Sequence, residues 1–159
     1  MLEGGGAWEI RQAMDARGKL LLVDPYRLGR LGVNLSRVIA RRLVEGMNHR
    51  GQVVWIRKTS QEAAANWEEP IDFLFLDGLH SFEAVQTDWK AWSPHVRPGG
   101  SVALRRDLAG RPADPDRADL EPVGIVEWAL ATDRGWELRD ERDTIAVLTR
   151  EGTKDRSPA

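Results

Sequence analysis

The stretch Ile71 to Leu76, IDFLFL, constrains this chain more than any other. An almost unbroken apolar run of this length suits a strand buried on both faces, as in the middle of a parallel sheet. Parallel neighbours need crossover connections, so helices must lie between the strands. The run stops at Asp77-Gly78, which puts a carboxylate at the strand's carboxyl end and a glycine where the chain turns sharply. A helix is predicted next, with Ser81 near its start and Phe82, Val85, Trp89 and Trp92 recurring on one face. Pro94 and then Arg97-Pro98-Gly99-Gly100 end it with turn chemistry. Ser101 to Leu104 reads as a second short buried strand, and Asp107 lies just past it. This is one strand–helix–strand unit with a right-handed crossover. If the two strands are neighbours, Asp77 and Asp107 emerge at the same edge of the sheet, where open α/β sheets bind ligands.

The flanking chain repeats the alternation. Trp8 to Ala16 reads as a short helix stopped by Gly18, and Lys19 to Val23 as a buried strand that ends at Asp24-Pro25. Asn34 is a candidate cap for a helix running to about Gly46, with Leu35, Val38, Ile39 and Leu43 as its buried stripe. Gln52 to Ile56 is the next strand, followed by Thr59-Ser60-Gln61-Glu62 and an alanine-rich helix to Trp67. Beyond Asp107, residues Leu108 to Glu121 form a long connection rich in Pro, Asp and Gly, read either as a lid or as a plain surface loop. Pro122 can open a helix that buries Val123, Val126 and Leu130 and closes at Gly135. Trp136 to Arg139 and Thr144 to Thr149 read as an antiparallel hairpin across Asp140 to Asp143, and 151–159 as a polar tail. The predicted fold is therefore α/β: a Rossmann-like three-layer sandwich, mostly parallel, closed by an antiparallel hairpin, with residues 1–150 as a single domain.

Composition narrows the function classes. With 23 Lys and Arg against 25 Asp and Glu, the net charge of −2 carries no footprint for nucleic acid or an anionic membrane. The absence of cysteine excludes disulfides, thiolate zinc sites and cysteine nucleophiles, and fits a reducing cytoplasm. The apolar runs fall far short of the roughly 20 residues that span a bilayer. The start, MLEGGGAWEI, has no basic segment followed by an apolar one. A cytoplasmic domain is expected.

The ordered pattern Asp77, Gly78, His80, Ser81, Phe82, Glu83, Val85, Asp88, Trp92, Pro94, Pro98, Gly99, Gly100 and Asp107 resembles class I S-adenosylmethionine-dependent methyltransferases, in particular a small branch with a DGxHSYE-like motif. The resemblance implies transfer of a methyl group from S-adenosylmethionine to a small-molecule oxygen or nitrogen. In the family a first strand runs into a glycine-rich turn against the cofactor's methionine part. Here Gly4, Gly5 and Gly6 match only the end of that loop, so the resemblance implies that the first strand is missing; a flexible tail is the competing reading. Asp24 matches the acidic residue that accepts the ribose hydroxyls, against a common turn aspartate before proline. Ser60 matches the small polar residue beside the adenine, and serves equally well as a helix cap.

The resemblance places Asp77 in the cofactor site beside the reacting methyl group, where a carboxylate stabilises the sulfonium or orients the acceptor; the other reading pairs it with Asp107 on a divalent cation such as magnesium, which wants an octahedron of oxygen ligands. Arg105 and Arg106 stand before Asp107 and compete with a cation for it. His80, with an ordinary pKa near 6.5, is the candidate base, with Asp107 beside it; its alternative is a hydrogen-bonded residue of the helix's first turn. Leu79 makes the mouth more apolar than in relatives. A second functional class is therefore carried along: a methyltransferase-like binding or scaffolding domain without catalysis. Self-association as a homodimer through an open strand edge is also expected. A nicotinamide-dependent oxidoreductase is disfavoured, because no G-x-G-x-x-G turn follows a strand.

Overall fold

Three of the predicted strands form with the predicted bounds: β1 (Lys19–Val23), β2 (Gln52–Ile56) and β3 (Ile71–Leu76). The computed structural model describes residues 5–25, 35–46, 51–77, 81–105 and 123–152. Its backbone groups into two units, 1–66 and 67–159, each taken by itself.

In the first unit, β1 and β2 pair in parallel, from Lys19 opposite Gln52 to Val23 opposite Ile56. Three helices accompany them: α1 (Gly5–Ala13), α2 (Leu35–Glu45) and α3 (Ser60–Ala64). Ala7, Leu20, Leu22 and Val44 make the core, with Ile10, Met14, Val53 and Trp55 packed against it. The turns that enter the two strands are tied together by Gly51 N–H donating to Ala16 O (3.1 Å) and Gln52 N–H to Gly18 O (2.9 Å). Gly51 is in the left-handed region (φ 67°), and a side chain there would run into the Gly18 carbonyl.

Helix α2 turns a different face inward from the one its large apolar residues suggest. Ala40 and Val44 are buried, whereas Val38, Ile39 and Leu43 are exposed. Polar groups tie α2 to α1 and to β2. The buried Arg11 of α1 donates to Val44 O. Glu45 Oε1 accepts from Arg41 Nε (3.1 Å) and from the Trp55 indole of β2 (2.8 Å).

The second unit is a four-stranded mixed sheet in the order β3-β4-β6-β5, with β4 (Val96–Arg105), β5 (Trp136–Arg142) and β6 (Ile145–Arg150). β3 and β4 are parallel; β6 is antiparallel to both β4 and β5. Helix α4 (Phe82–Trp92) joins β3 to β4 and α5 (Val123–Thr132) precedes β5. Val85, Trp89, Trp92, Val102, Leu104, Ile125, Ala129, Trp136 and Leu148 are buried between sheet and helices. Trp89 and Trp136 meet edge to face at 4.9 Å, and the Trp136 indole donates to Asp133 Oδ2 (2.8 Å).

Three sequence expectations change here. First, the residues Arg97 to Gly100 do not stop the chain before a strand; they lie inside β4. The register jumps from Ile71 opposite Val96 to Phe73 opposite Ser101, so β4 carries the extra residues as a bulge. Gly99 (φ 77°) turns the bulge, and Gly100 packs its backbone against Ile71 O. Second, the hairpin is longer and tighter than predicted: Arg142 pairs with Ile145 around a two-residue turn, with Asp143 at φ 49°. Third, β3 is not covered on both faces. Asp72 and Phe73 are exposed, Phe73 by 46 %. Among the described residues β3 pairs with β4 alone, so within this unit it is an edge strand.

Candidate functional site

Because β1 and β2 are parallel, their carboxyl ends share an edge. Asp24 follows β1 directly; it is half-buried, and its backbone N–H donates to Ile56 O (3.1 Å), which holds it beside the end of β2. Ser60 follows β2 on the same side, as the half-buried first residue of α3. It is not the helix cap. Thr59 takes that position: its hydroxyl accepts from Glu62 N (3.3 Å), and the Glu62 carboxylate accepts from Thr59 N (2.9 Å). The backbone N–H of Thr59 first, and then its hydroxyl, which donates to Glu62 Oε2 (2.8 Å), hold the Glu62 carboxyl below its ordinary range. The T-x-x-E spelling of this capping box is readable in the sequence. Ser60 is thus a polar residue that follows the carboxyl end of β2, the strand paired with β1.

Gly5 and Gly6 are not a loop. They are the first residues of α1, which starts three residues earlier than predicted and ends at Ala13. A side chain at Gly5 would meet nothing within 4 Å, so the first turn of α1 presents open backbone.

In the second unit, β3 and β4 are parallel and also deliver their carboxyl ends to one edge. Asp77 follows β3 there and is half-buried. Ser81 caps α4, its hydroxyl accepting from Ala84 N (3.3 Å). Gly4, His80 and Asp107 lie outside the described residues, as do Asn34 and the connection 108–121. The described residues contain no group of three or more His, Asp or Glu side chains that could hold a metal ion. Sequence reasoning also missed Trp128, whose ring meets Phe82 edge to face at 6.2 Å on the α4–α5 side of the second unit.

Parallel strands joined by helices, β1 to β2 in the first unit and β3 to β4 in the second, define a Rossmann-like α/β fold. Solved structures share that fold. The O-methyltransferase TomG from Streptomyces achromogenes, solved with S-adenosylmethionine, superimposes with a TM-score of 0.65 at 17% identity, over 94% of this chain and 70% of that one. The O-methyltransferase from Bacillus cereus, solved with S-adenosylhomocysteine, gives 0.62 at 15% identity, over 94% and 70%. The chain belongs to the methyltransferase domain family, whose sequence model matches residues 3–104. Demethylmacrocin O-methyltransferase of Streptomyces fradiae is 38% identical over 79 residues. That match covers 45% of this chain and only 20% of the Streptomyces enzyme. No helix among the described residues is long and apolar enough to cross a membrane.

Proposed function

We propose that this chain binds S-adenosylmethionine and transfers its methyl group to a small-molecule oxygen or nitrogen. The observation that carries the reading is Asp24, a half-buried carboxylate fixed at the carboxyl end of a parallel strand in a methyltransferase-family domain. When bound, the cofactor supplies a methyl group activated on a sulfonium. Asp24 accepts the ribose hydroxyls, and Ser60 lies beside the adenine. The open first turn of α1 at Gly5 lets the backbone approach the methionine part, with Gly6 beside it in sequence. Asp77 orients the acceptor at the edge of the second unit. The proton lost by the acceptor's hydroxyl or amine goes to the His80 imidazole, with Asp107 to orient it. Most of the acceleration comes from alignment of acceptor oxygen or nitrogen, methyl carbon and departing sulfur in one line. A small acceptor is favoured over nucleic acid by the net charge of −2.

Calorimetric titration of the 159-residue chain with S-adenosylhomocysteine tests the reading. Micromolar binding is expected, weakened about 10- to 100-fold by Asp24→Ala, the worth of hydrogen bonds to a charged group. Absence of binding by the folded wild-type chain would sink the proposal. The alternative, a family member that binds without catalysis, predicts cofactor-product binding but no methyl transfer in any acceptor screen.

A further inference from the structure

One aromatic side chain departs from the helix it belongs to. The spacing of Phe82, Val85, Trp89 and Trp92 predicts a single buried stripe along α4. Val85, Trp89 and Trp92 are 1%, 3% and 5% exposed. Phe82 is only half-buried. Its position in the fold gives this a meaning. α4 leaves the carboxyl end of β3 and α5 precedes β5, which runs parallel to β4, so both helices run back against the strands. Their first turns therefore stand at the same sheet edge as Asp77. Phe82 is the first residue of α4 and Gly124 the second of α5.

The ring is held and only partly covered. Trp128 meets it edge to face at 6.2 Å, and Lys90 Nζ lies over the Trp128 ring at 5.6 Å, which fixes the bracing indole in turn. On α5, Gly124 leaves a gap: a methyl group added there would touch Phe82 Cε2 at 3.8 Å and nothing else within 4 Å. Any larger residue would lie on the ring. The outcome is an apolar, carbon-only surface of fixed orientation at the acceptor edge. Such a surface favours a second aromatic ring, which can stack offset or edge-on against it.

We propose that Phe82, framed by Gly124 and braced by Trp128, is the specificity wall for the methyl acceptor and selects acceptors that carry an aromatic ring. The assignment rests on the methyl-transfer reading above. Its test uses the full chain, with methyl para-hydroxybenzoate as probe and the ring-saturated analogue as control, titrated by calorimetry in the presence of S-adenosylhomocysteine. The aromatic probe should bind more tightly than the saturated one. Phe82→Ala should weaken it about fivefold, the size of one aromatic contact. Gly124→Leu, which keeps Phe82 but fills the space over its ring, should weaken it at least as much. The saturated analogue should not respond to Phe82→Ala, and S-adenosylhomocysteine affinity should be the same in all three proteins. Near-UV circular dichroism checks that each variant is folded. Equal probe affinity in wild type and both variants, equal affinity for the two probes, or no probe binding at all would each overturn the wall while leaving cofactor binding intact. Failure of wild type to bind S-adenosylhomocysteine would overturn the methyl-transfer reading and the wall with it.

Discussion

Gly100→Ala should damage this protein more than its size suggests. A methyl group at that position would stand 2.7 Å from Val96 Cγ1, 2.9 Å from Arg97 O and 2.9 Å from Ile71 O. The valine methyl can rotate away. The two carbonyl oxygens cannot, because Arg97 O belongs to the bulge and Ile71 O to the neighbouring strand. Relief requires β3 and β4 to separate locally or the bulge to rebuild. Overpacking of this kind costs about 1–3 kcal/mol, and two backbone clashes put the expected loss at about 2–3 kcal/mol. The bulge also sets the register that carries β3 to Asp77, so the damage reaches the candidate site. Urea unfolding followed by tryptophan fluorescence measures the loss, since Trp89 and Trp92 are buried in the same unit. Gly124→Ala is the control. It adds a methyl at ordinary contact distance, and should fall within about 0.5 kcal/mol of wild type. A Gly100→Ala protein as stable as that control would refute the close approach of β4 to Ile71.

Three further outcomes are expected. Thr59→Ala removes the capping box of α3 and should cost about 1 kcal/mol in urea unfolding, whereas Ser60→Ala should stay within about 0.5 kcal/mol and act on S-adenosylhomocysteine affinity instead. Glu45→Gln tests a pH dependence. Burial pushes the Glu45 carboxyl up, but hydrogen bonds from Arg41 and Trp55 and the charges of Arg41 and Arg11 outweigh it, so its folded pKa lies below the ordinary 4.5. Its contribution is complete above that value and disappears as pH falls through the folded pKa, so the stability gap between wild type and Glu45→Gln should close on acidification below pH 4.5; a gap that widens there would contradict the network. Leu104→Ala, at a fully buried position of β4, should lose about 2–5 kcal/mol by the same unfolding measurement.

The strands were the legible part of this fold, because apolar runs such as GKLLLV and IDFLFL admit little else between turn residues. What was not legible depended on partners distant in sequence. Arg97 to Gly100 carries real turn chemistry, but the turn is folded into β4 as a bulge, and only the pairing with β3 shows it. In α2 Val38, Ile39 and Leu43 outweigh Ala40 and Val44 in a periodicity argument, yet Ala40 and Val44 are the pair that is buried. β5 extends to Arg142 through six consecutive exposed residues, Glu137 to Arg142, where an edge strand needs no alternation to declare itself. Of the site, Asp24, Ser60 and Asp77 stand at strand ends as their sequence positions imply. Gly5 and Gly6 do not form a loop, since a helix that starts on glycine carries no capping residue to mark its beginning. Phe82 looked like core because its spacing is that of core, and its partial exposure depends on Gly124, more than forty positions further along.

The indole of Trp89 lies 4.9 Å from that of Trp136, and the indole of Trp67 lies 5.2 Å from that of Trp92. Chromophores this close share their excited states, and their near-ultraviolet transitions split into a paired optical signal whose size falls away steeply with separation. All four rings belong to residues 67–159. The chain thus carries a label-free optical ruler for the seating of α4 against the rest of that unit, blind to Trp8 and Trp55 in the other. Loss of the split signal before the overall fluorescence change would time the release of α4 during unfolding, without a single added dye.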